Sequence, residues 1–248
     1  HSSAWENGRE ETGKRHQVRA SRFFLTAQLE TGHLCPVTMT SASLAALMAS
    51  PPLFREWAPR VTTRKFDQSQ KPPIEKTGLT LGMGMTEKQG GTDVRANSSK
   101  AERAGRDFYR LTGHKWFMSA PMSDAFLMLA QAPEGLSCFI VPRVLSDGTS
   151  NGLRFQRLKQ KLGNRSNASA EVEFAGTVGQ LVGEAGAGLR TIMDMVTLTR
   201  LDCAVASAGI MRAGLAEAVH HCRHRTVFGK TLVDQPLMLR VLADMALD

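Results

Sequence analysis

The apolar residues of this chain change their period twice, and that change constrains the fold more than any other feature. From residue 17 to residue 50 the sequence reads QVRASRFFLTAQLETGHLCPVTMTSASLAALMAS. Phe23, Phe24, Ala27 and Leu29 form one helical cluster and Ser43 to Met48 a second, with a break at Gly32 to Pro36. Pro51 and Pro52 are read as the stop, and residues 62–77 as a polar connection. Leu79, Leu81, Met83 and Met85 then alternate with Thr80, Gly82 and Gly84, the two-residue period of a strand. Phe108 to Phe117 follows, interrupted at Gly113 by an expected hairpin or bend. Ala125 to Gln131, Ser137 to Pro142, Leu153 to Gln156 and Ala170 to Phe174 are further short strands, separated by turn signals such as EGLS and DGTSNG. After GEAGAG the helical period returns over residues 189–224, with small residues (Ala204, Ala206, Ala208, Gly209, Ala213, Gly214, Ala216) along one seam. Phe228-Gly229 punctuates it, and a further helix begins near Pro236. The order predicts an α+β fold: a helical N-terminal segment, an antiparallel β-barrel or sandwich in the middle, and the start of a C-terminal helical bundle.

Composition excludes several alternatives. Of 248 residues, 42% are hydrophobic and 22% charged, enough apolar material for a packed core and too much for a disordered chain. No run approaches the length of a membrane-spanning helix. Cys35, Cys138, Cys203 and Cys222 are scattered, so neither a disulfide scaffold nor paired CxxC ligands are expected, and a reducing, cytoplasmic setting fits. The net charge of +8 favours anionic partners, but the charges are dispersed and equally fit an ordinary basic surface. The N-terminus, HSSAWENGRE, carries neither a starting Met nor a signal segment, and LMLRVLADMALD stops within a helical pattern; an excised piece of a longer protein is expected.

Residues 83–93, MGMTEKQGGTD, close the first strand. Two adjacent glycines can turn backbone N–H groups toward an anion, with Thr86 and Thr92 adding hydroxyls on either side. Glu87 and Asp93 repel anions, and a Gly-Gly turn by itself is more often an ordinary loop. In HHCRHR, His220 and His224 stand one helical turn apart, but no third ligand lies at a suitable spacing and Cys222 projects from another face, so we assign no metal site.

Several motifs follow one another in a fixed order: MTEKQGGTD, GHKWFMSA at 113–120, KLGNRSNASAEVEF at 161–174, GEAGAGLRTIMDMVTLTRLDCAVASAG at 183–209 and RTVFGKTL at 225–232. In this order the chain resembles the acyl-CoA dehydrogenase family, whose β-domain loop has the form TEPxAGSD, whose next strand ends in WIT, and whose C-terminal helices carry RxxFG. The resemblance covers nearly the whole chain. It implies residues 1–70 as the end of a helical N-terminal domain, 71–185 as a flavin-binding β-domain and 186–248 as the first helices of a C-terminal bundle. It also implies a non-covalent FAD, an acyl-CoA thioester as substrate, and assembly into a homotetramer or dimer.

The resemblance assigns the cofactor stretch to Met83, Gly84, Met85, Thr86, Glu87, Lys88, Gln89, Gly90, Gly91 and Thr92. Thr86 would meet the pyrimidine edge of the flavin and Thr92 the pyrophosphate. The WIT positions fall on Phe117, Met118 and Ser119, with Phe117 against the flavin face and Ser119 near N5. Trp116 is expected on the opposite strand face. Arg225 and Phe228 match RxxFG and would reach the FAD of a neighbouring subunit; the family's later Gln falls on Pro236, one position past Gln235. No catalytic base is assignable within the chain. The alternative position of the family's Glu is occupied by Thr199, before Arg200, and Asp202 would project elsewhere. The expected function is a flavoprotein with weak or vestigial dehydrogenation of isovaleryl-CoA-like thioesters and a role in the DNA alkylation response, with double-stranded DNA bound through a region beyond these residues. Alternatives are an ordinary acyl-CoA dehydrogenase of fatty-acid or branched-chain catabolism, and a binding module without activity.

Overall fold

The computed structural model describes residues 12–247; the expectations for the N-terminal HSSAWENGRE and the final Asp248 lie outside them. Three helices come first: α1 (Thr12–Ala27), α2 (Leu34–Leu47) and α3 (Pro51–Val61). Pro51 and Pro52 therefore open a third helix instead of ending the helical segment. A proline in the first helical turn loses no hydrogen bond, because the N–H there has no intrahelical acceptor. The break between α1 and α2 falls at residues 28–33, which places Pro36 in the first turn of α2 for the same reason.

Seven strands follow: β1 (Leu81–Gly84), β2 (Lys100–Arg103), β3 (Phe108–Ser119), β4 (Ala125–Ala132), β5 (Gly135–Pro142), β6 (Leu153–Leu158) and β7 (Ser169–Val182). Their pairing closes into a ring, β4–β2–β3–β7–β5–β4, with β1 added on β4 and β6 on β7. Most neighbours run antiparallel, but β1 and the first residue of β2, Lys100, lie parallel to β4 on successive stretches of one edge. β2 is short and polar, which hid it from a periodicity reading. Gly113 does not turn the chain. β3 runs through it at a bulge, and a Cβ there would lie 2.3 Å from Ser99 Oγ.

The barrel has two apolar sides. Tyr109, Leu111, Met118, Phe126, Met128, Phe139 and Phe174 fill its interior. Leu127 and Leu129 of β4 and Ile140 of β5 face outward onto Leu44 and Leu47 of α2 and onto Ile192 and Met195. A strand covered on both faces needs no polar alternation, which accounts for the continuous apolar runs at 125–130 and 138–141.

α4 (Gly188–His224) is one continuous helix of 37 residues. A two-stranded ribbon, β8 (Thr226–Val227) and β9 (Lys230–Thr231), and α5 (Pro236–Leu247) complete the described chain. Within the small-residue seam only Gly209 is buried; Ala204, Ala208, Gly214 and Ala216 are exposed. A Cβ at Gly209 would stand 2.5 Å from the carbonyl oxygen of Phe24, so this glycine sets how closely α1 approaches α4. Nearby, Asp202 accepts two hydrogen bonds from the Arg19 guanidinium (2.6 and 2.5 Å) and one from Thr38 Oγ1 (2.5 Å), tying α4 to α1 and α2.

Two glycines of α4 are expected to respond oppositely to substitution. Gly209→Leu drives a side chain into α1 and should lower stability by about 1–3 kcal/mol. Gly214→Ala meets open space and should raise it by about 0.5–1 kcal/mol, the helix-propensity difference. Urea midpoints of the two variants read this directly, and shifts of the same sign would contradict the packing.

Candidate functional site

β1 delivers the MGMTEKQGGTD loop onto the end of β3. Thr86 accepts a hydrogen bond through its carbonyl from the Trp116 N–H (2.8 Å), and the Lys88 N–H donates to His114 Nε2 (3.0 Å). Asn97 Nδ2 donates to the Met85 carbonyl and its Oδ1 accepts from Gln89 Nε2, both at 2.9 Å. Gly90 has φ +119°, a conformation closed to most side chains. A Cβ on Gly91 would stand 2.7 Å from Thr86 Oγ1, so the loop folds back over that hydroxyl. Gly91 and Thr92 are exposed, and their N–H groups have no acceptor among the described residues. Met83 is half-buried on the helix-facing side of β1, and a Cβ on Gly84 would meet Met118 Cγ at 3.0 Å.

Beneath the loop lies a fully enclosed ion pair. Glu87 and Lys115 side chains are both 0% exposed, with Nζ–Oε1 at 2.7 Å. Lys115 Nζ also donates to the Leu129 carbonyl (2.8 Å). Glu87 accepts from Ser98 N–H (2.7 Å), Ser98 Oγ (2.9 Å) and Ser99 N–H (3.3 Å). Burial opposes the Glu87 charge, but the Lys115 ammonium and these donors outweigh it and hold the carboxyl down at about 2. Burial pulls the Lys115 pKa downward, with Glu87 opposing that shift. Glu87 therefore offers a ligand only its backbone. Its carboxylate is the reason the loop stands where it does, and it brings no negative charge to the surface.

The end of β3 departs from simple alternation. Lys115 pairs with Val172 and Met118 with Ala170, so two residues of β3 oppose one of β7. This bulge turns Lys115 and Met118 inward and leaves both Trp116 and Phe117 outside. The expectation that Trp116 lies on the face opposite Phe117 is thus corrected. Lys159 Nζ sits over both rings, 3.2 Å from the Trp116 centroid and 4.6 Å from that of Phe117, and is ion-paired with Glu171 (2.6 Å). Met118 is 0% exposed inside the barrel, so its side chain cannot be a cofactor ligand. Phe117 is 42% exposed, and Ser119 is half-buried with Oγ 3.0 Å from Ser169 Oγ.

Arg225 caps α4 and is exposed, its backbone joined to His221 and Leu232. Phe228 forms the ribbon turn with Gly229, at φ +54° and +76°, and projects 96% exposed. Positive φ at both central residues is the geometry of a tight hairpin, uncommon for a side chain as bulky as Phe. Gln235 Nε2 braces this turn through the Val227 carbonyl (3.0 Å). The ribbon packs on the end of α4, and nothing brings Arg225 and Phe228 to the Thr86 loop of the same chain. His220 and His224 rings stack at 4.4 Å, with His224 Nδ1 2.7 Å from the His220 carbonyl oxygen. Thr199 Oγ1 donates to the Val196 carbonyl of its own helix (2.8 Å), and Asp202 is committed to Arg19 and Thr38.

Residues around Ser119 went unassigned in the sequence: Lys159, Lys161, Ser169 and Cys35. KLGNRSNAS was a recognisable motif, but its contact with the end of β3 depends on the bulge, which leaves no periodic trace.

A seven-stranded β-unit set between helices is the fold of the acyl-CoA dehydrogenases, a family of flavoproteins. Three family models match in sequence order: the adaptive response protein AidB N-terminal domain at residues 1–68, the acyl-CoA dehydrogenase middle domain at 82–177 and its C-terminal domain at 186–248. The chain belongs to the acyl-CoA dehydrogenase family. Along its full length it is 50% identical to AidB of Escherichia coli (strain K12), covering 46% of that protein. It is 34% identical to acyl-CoA dehydrogenase family member 11 of Caenorhabditis elegans over 94% of the chain and 39% of that protein. The chain thus spans less than half the length of these relatives. The crystal structure of Caenorhabditis elegans ACDH-11 in complex with C11-CoA superposes with TM-score 0.86 at 31% identity, over 99% of this chain and 43% of that one. Butyryl-CoA dehydrogenase of Megasphaera elsdenii shares the fold at TM-score 0.74 and 23% identity, over 91% and 57% of the two chains.

Removing Lys115 should strand the buried Glu87 carboxylate. Lys115→Met is expected to cost about 3–5 kcal/mol, and Glu87→Gln added to it should recover part of that loss. Chemical denaturation of the single and double variants measures the coupling. Because the folded Glu87 pKa lies below its ordinary value, its contribution is complete above about pH 4.5 and is lost as pH falls toward about 2. Hydrogen-exchange protection factors in the 85–99 segment should fall over that interval in the wild type, and this fall should be absent in Glu87→Gln.

Proposed function

We propose that this chain is the flavin-side half of an AidB-like, FAD-dependent acyl-CoA dehydrogenase-type oxidoreductase, with residues 71–185 as its flavin-binding unit. The observation that carries this reading is the junction of the Thr86 loop with the end of β3, where free N–H donors, an exposed aromatic face and a half-exposed hydroxyl stand side by side. These residues fit FAD chemically. Thr86 offers its hydroxyl and backbone to the pyrimidine edge, Gly91 and Thr92 offer N–H donors to the pyrophosphate, and Phe117 offers a ring face. Ser119 holds a hydroxyl for N5. Arg225 and the projecting Phe228 serve the FAD of a second copy, which makes the active protein a homotetramer or dimer. FAD, when bound, supplies the electron acceptor for hydride from the β-carbon of an acyl thioester.

The general base for the α-proton has no candidate here, since Thr199 is back-bonded to its helix and Asp202 is held by Arg19. A base supplied outside these residues, with weak dehydrogenation, fits the 50% identity to AidB. The same likeness, the match to an adaptive-response domain and the +8 charge support a role in the DNA alkylation response, with duplex bound elsewhere in the full-length protein. An ordinary acyl-CoA dehydrogenase is the second reading, favoured by the likeness to ACDH-11 solved with C11-CoA. Salt-dependent duplex binding by the full-length protein, compared with flavin bleaching by acyl-CoA, separates the two.

Thr86→Val and Ser119→Ala should each weaken FAD retention or shift the visible flavin spectrum, because each removes a hydroxyl partner of a polar ring edge. Normal retention and an unchanged spectrum in both would remove the assignment. Loss of a positioned base lowers rates by roughly two to four orders of magnitude. In stopped flow with isovaleryl-CoA, the 248-residue chain should therefore show no bleaching above background while the full-length protein bleaches slowly. Robust bleaching by the short chain would place the base within it.

A further inference from the structure

We infer that Lys161 is a positioning residue for the flavin site, polarising Ser119 through Ser169 so that Ser119 donates its proton outward. Ser119 and Ser169 are cross-strand partners at the end of β3 and the start of β7, with Oγ–Oγ at 3.0 Å. Lys161 Nζ donates to Ser169 Oγ (3.1 Å) and to the Asn167 carbonyl. An ammonium group has only donors, so Ser169 Oγ must accept from it. Ser169 is 3% exposed and its own proton has Ser119 Oγ as its partner. The Ser119 proton is then not needed by Ser169, and the neighbouring Cys35 sulfur, a weak acceptor, competes poorly for it with a ligand standing before the half-exposed hydroxyl. The order of donors is thus Lys161 to Ser169 to Ser119 to ligand, and a chain of hydrogen bonds with a cation at its head strengthens its last member.

Lys161 differs from its neighbour. Lys159 is neutralised by Glu171 and rests on Trp116 and Phe117. Among the described residues no carboxylate pairs with Lys161, whose acceptors are a hydroxyl and a carbonyl. Its surroundings hold it in place. Arg165 Nε donates to the Lys161 carbonyl (3.1 Å), and Ser166 Oγ donates to Glu30 Oε1 (2.5 Å), anchoring the loop to the α1–α2 turn. The remaining group near Ser119 is the Cys35 thiol, whose ionisation burial opposes, so it adds no competing negative charge.

This inference rests on the flavin reading. A cation two hydroxyls behind the flavin would stabilise the negative charge the ring gains on two-electron reduction and would make it easier to reduce. The test uses full-length holoprotein and FAD as the probe, with the midpoint potential measured by dye-coupled reductive titration. Lys161→Met is expected to lower the reduction equilibrium constant about tenfold, which is about 30 mV for a two-electron couple. Ser169→Ala should give a shift of the same sign, the double variant no more than the larger single shift, and Lys161→Arg should stay near wild type. Ser119→Ala should abolish the response to Lys161→Met. A wild-type potential in both Lys161→Met and Ser169→Ala, with FAD retained, would overturn the relay and leave the flavin site standing. Additive shifts would likewise overturn it, since two independent effects need no shared path. Failure of the wild-type protein to bind FAD would overturn the flavin reading itself, and this inference with it.

Discussion

Glu87 and Lys115 meet in the interior with no exposed surface on either side chain. A charge placed there alone would be expelled, so each residue is tolerable only because the other is present and the remaining lone pairs and protons are satisfied. That requirement fixes several elements at once. Glu87 lies in the turn after β1, Lys115 in β3, the accepting carbonyl of Leu129 in β4, and the donors Ser98 and Ser99 just before β2. The pair therefore pins three strands and the glycine loop to one another from beneath. Breaking it would free the loop and the strand end together, the two halves of the candidate flavin site.

The outer surface of the site depends on a second device, the bulge at the end of β3. Were β3 regular, Trp116 and Phe117 would take opposite faces, and Lys115 would not share the interior with Met118. The extra residue exposes two adjacent aromatic rings and brings Ser119 into line with Ser169. Bulges concentrate where a strand must aim a particular side chain, and here the aimed group is a hydroxyl. The helices serve the same surface from behind. Asp202 locks α1, α2 and α4 into one body through Arg19 and Thr38.

The C-terminal part is built differently. α4 extends for 37 residues with most of its second half exposed, and its ribbon presents Phe228 at the tip. Apolar side chains of α5, among them Leu237, Leu239 and Val241, are also uncovered. Among the described residues that apolar surface is left uncovered, and the relatives the chain matches are roughly twice its length.

The sequence by itself determined the order of the fold and the family. Period and turn chemistry are local properties, so helices, strands and helices could be read from the spacing of Phe23, Leu81, Val172 and their neighbours. The loop and strand-end motifs were equally legible, because glycines and hydroxyls at fixed spacing survive as a string. Local pattern failed where an element's identity depended on distant contacts. Pro51 and Pro52 started a helix that packs on the core, the polar β2 became a strand through its partners β3 and β4, and Gly113 stayed within a strand because Ser99 needed the room. The roles of Glu87, Met118, Trp116 and Lys161 were decided only by tertiary structure. Burial, bulge register and cross-strand pairing set which way a side chain points, and those are properties of neighbours that lie far away in the sequence.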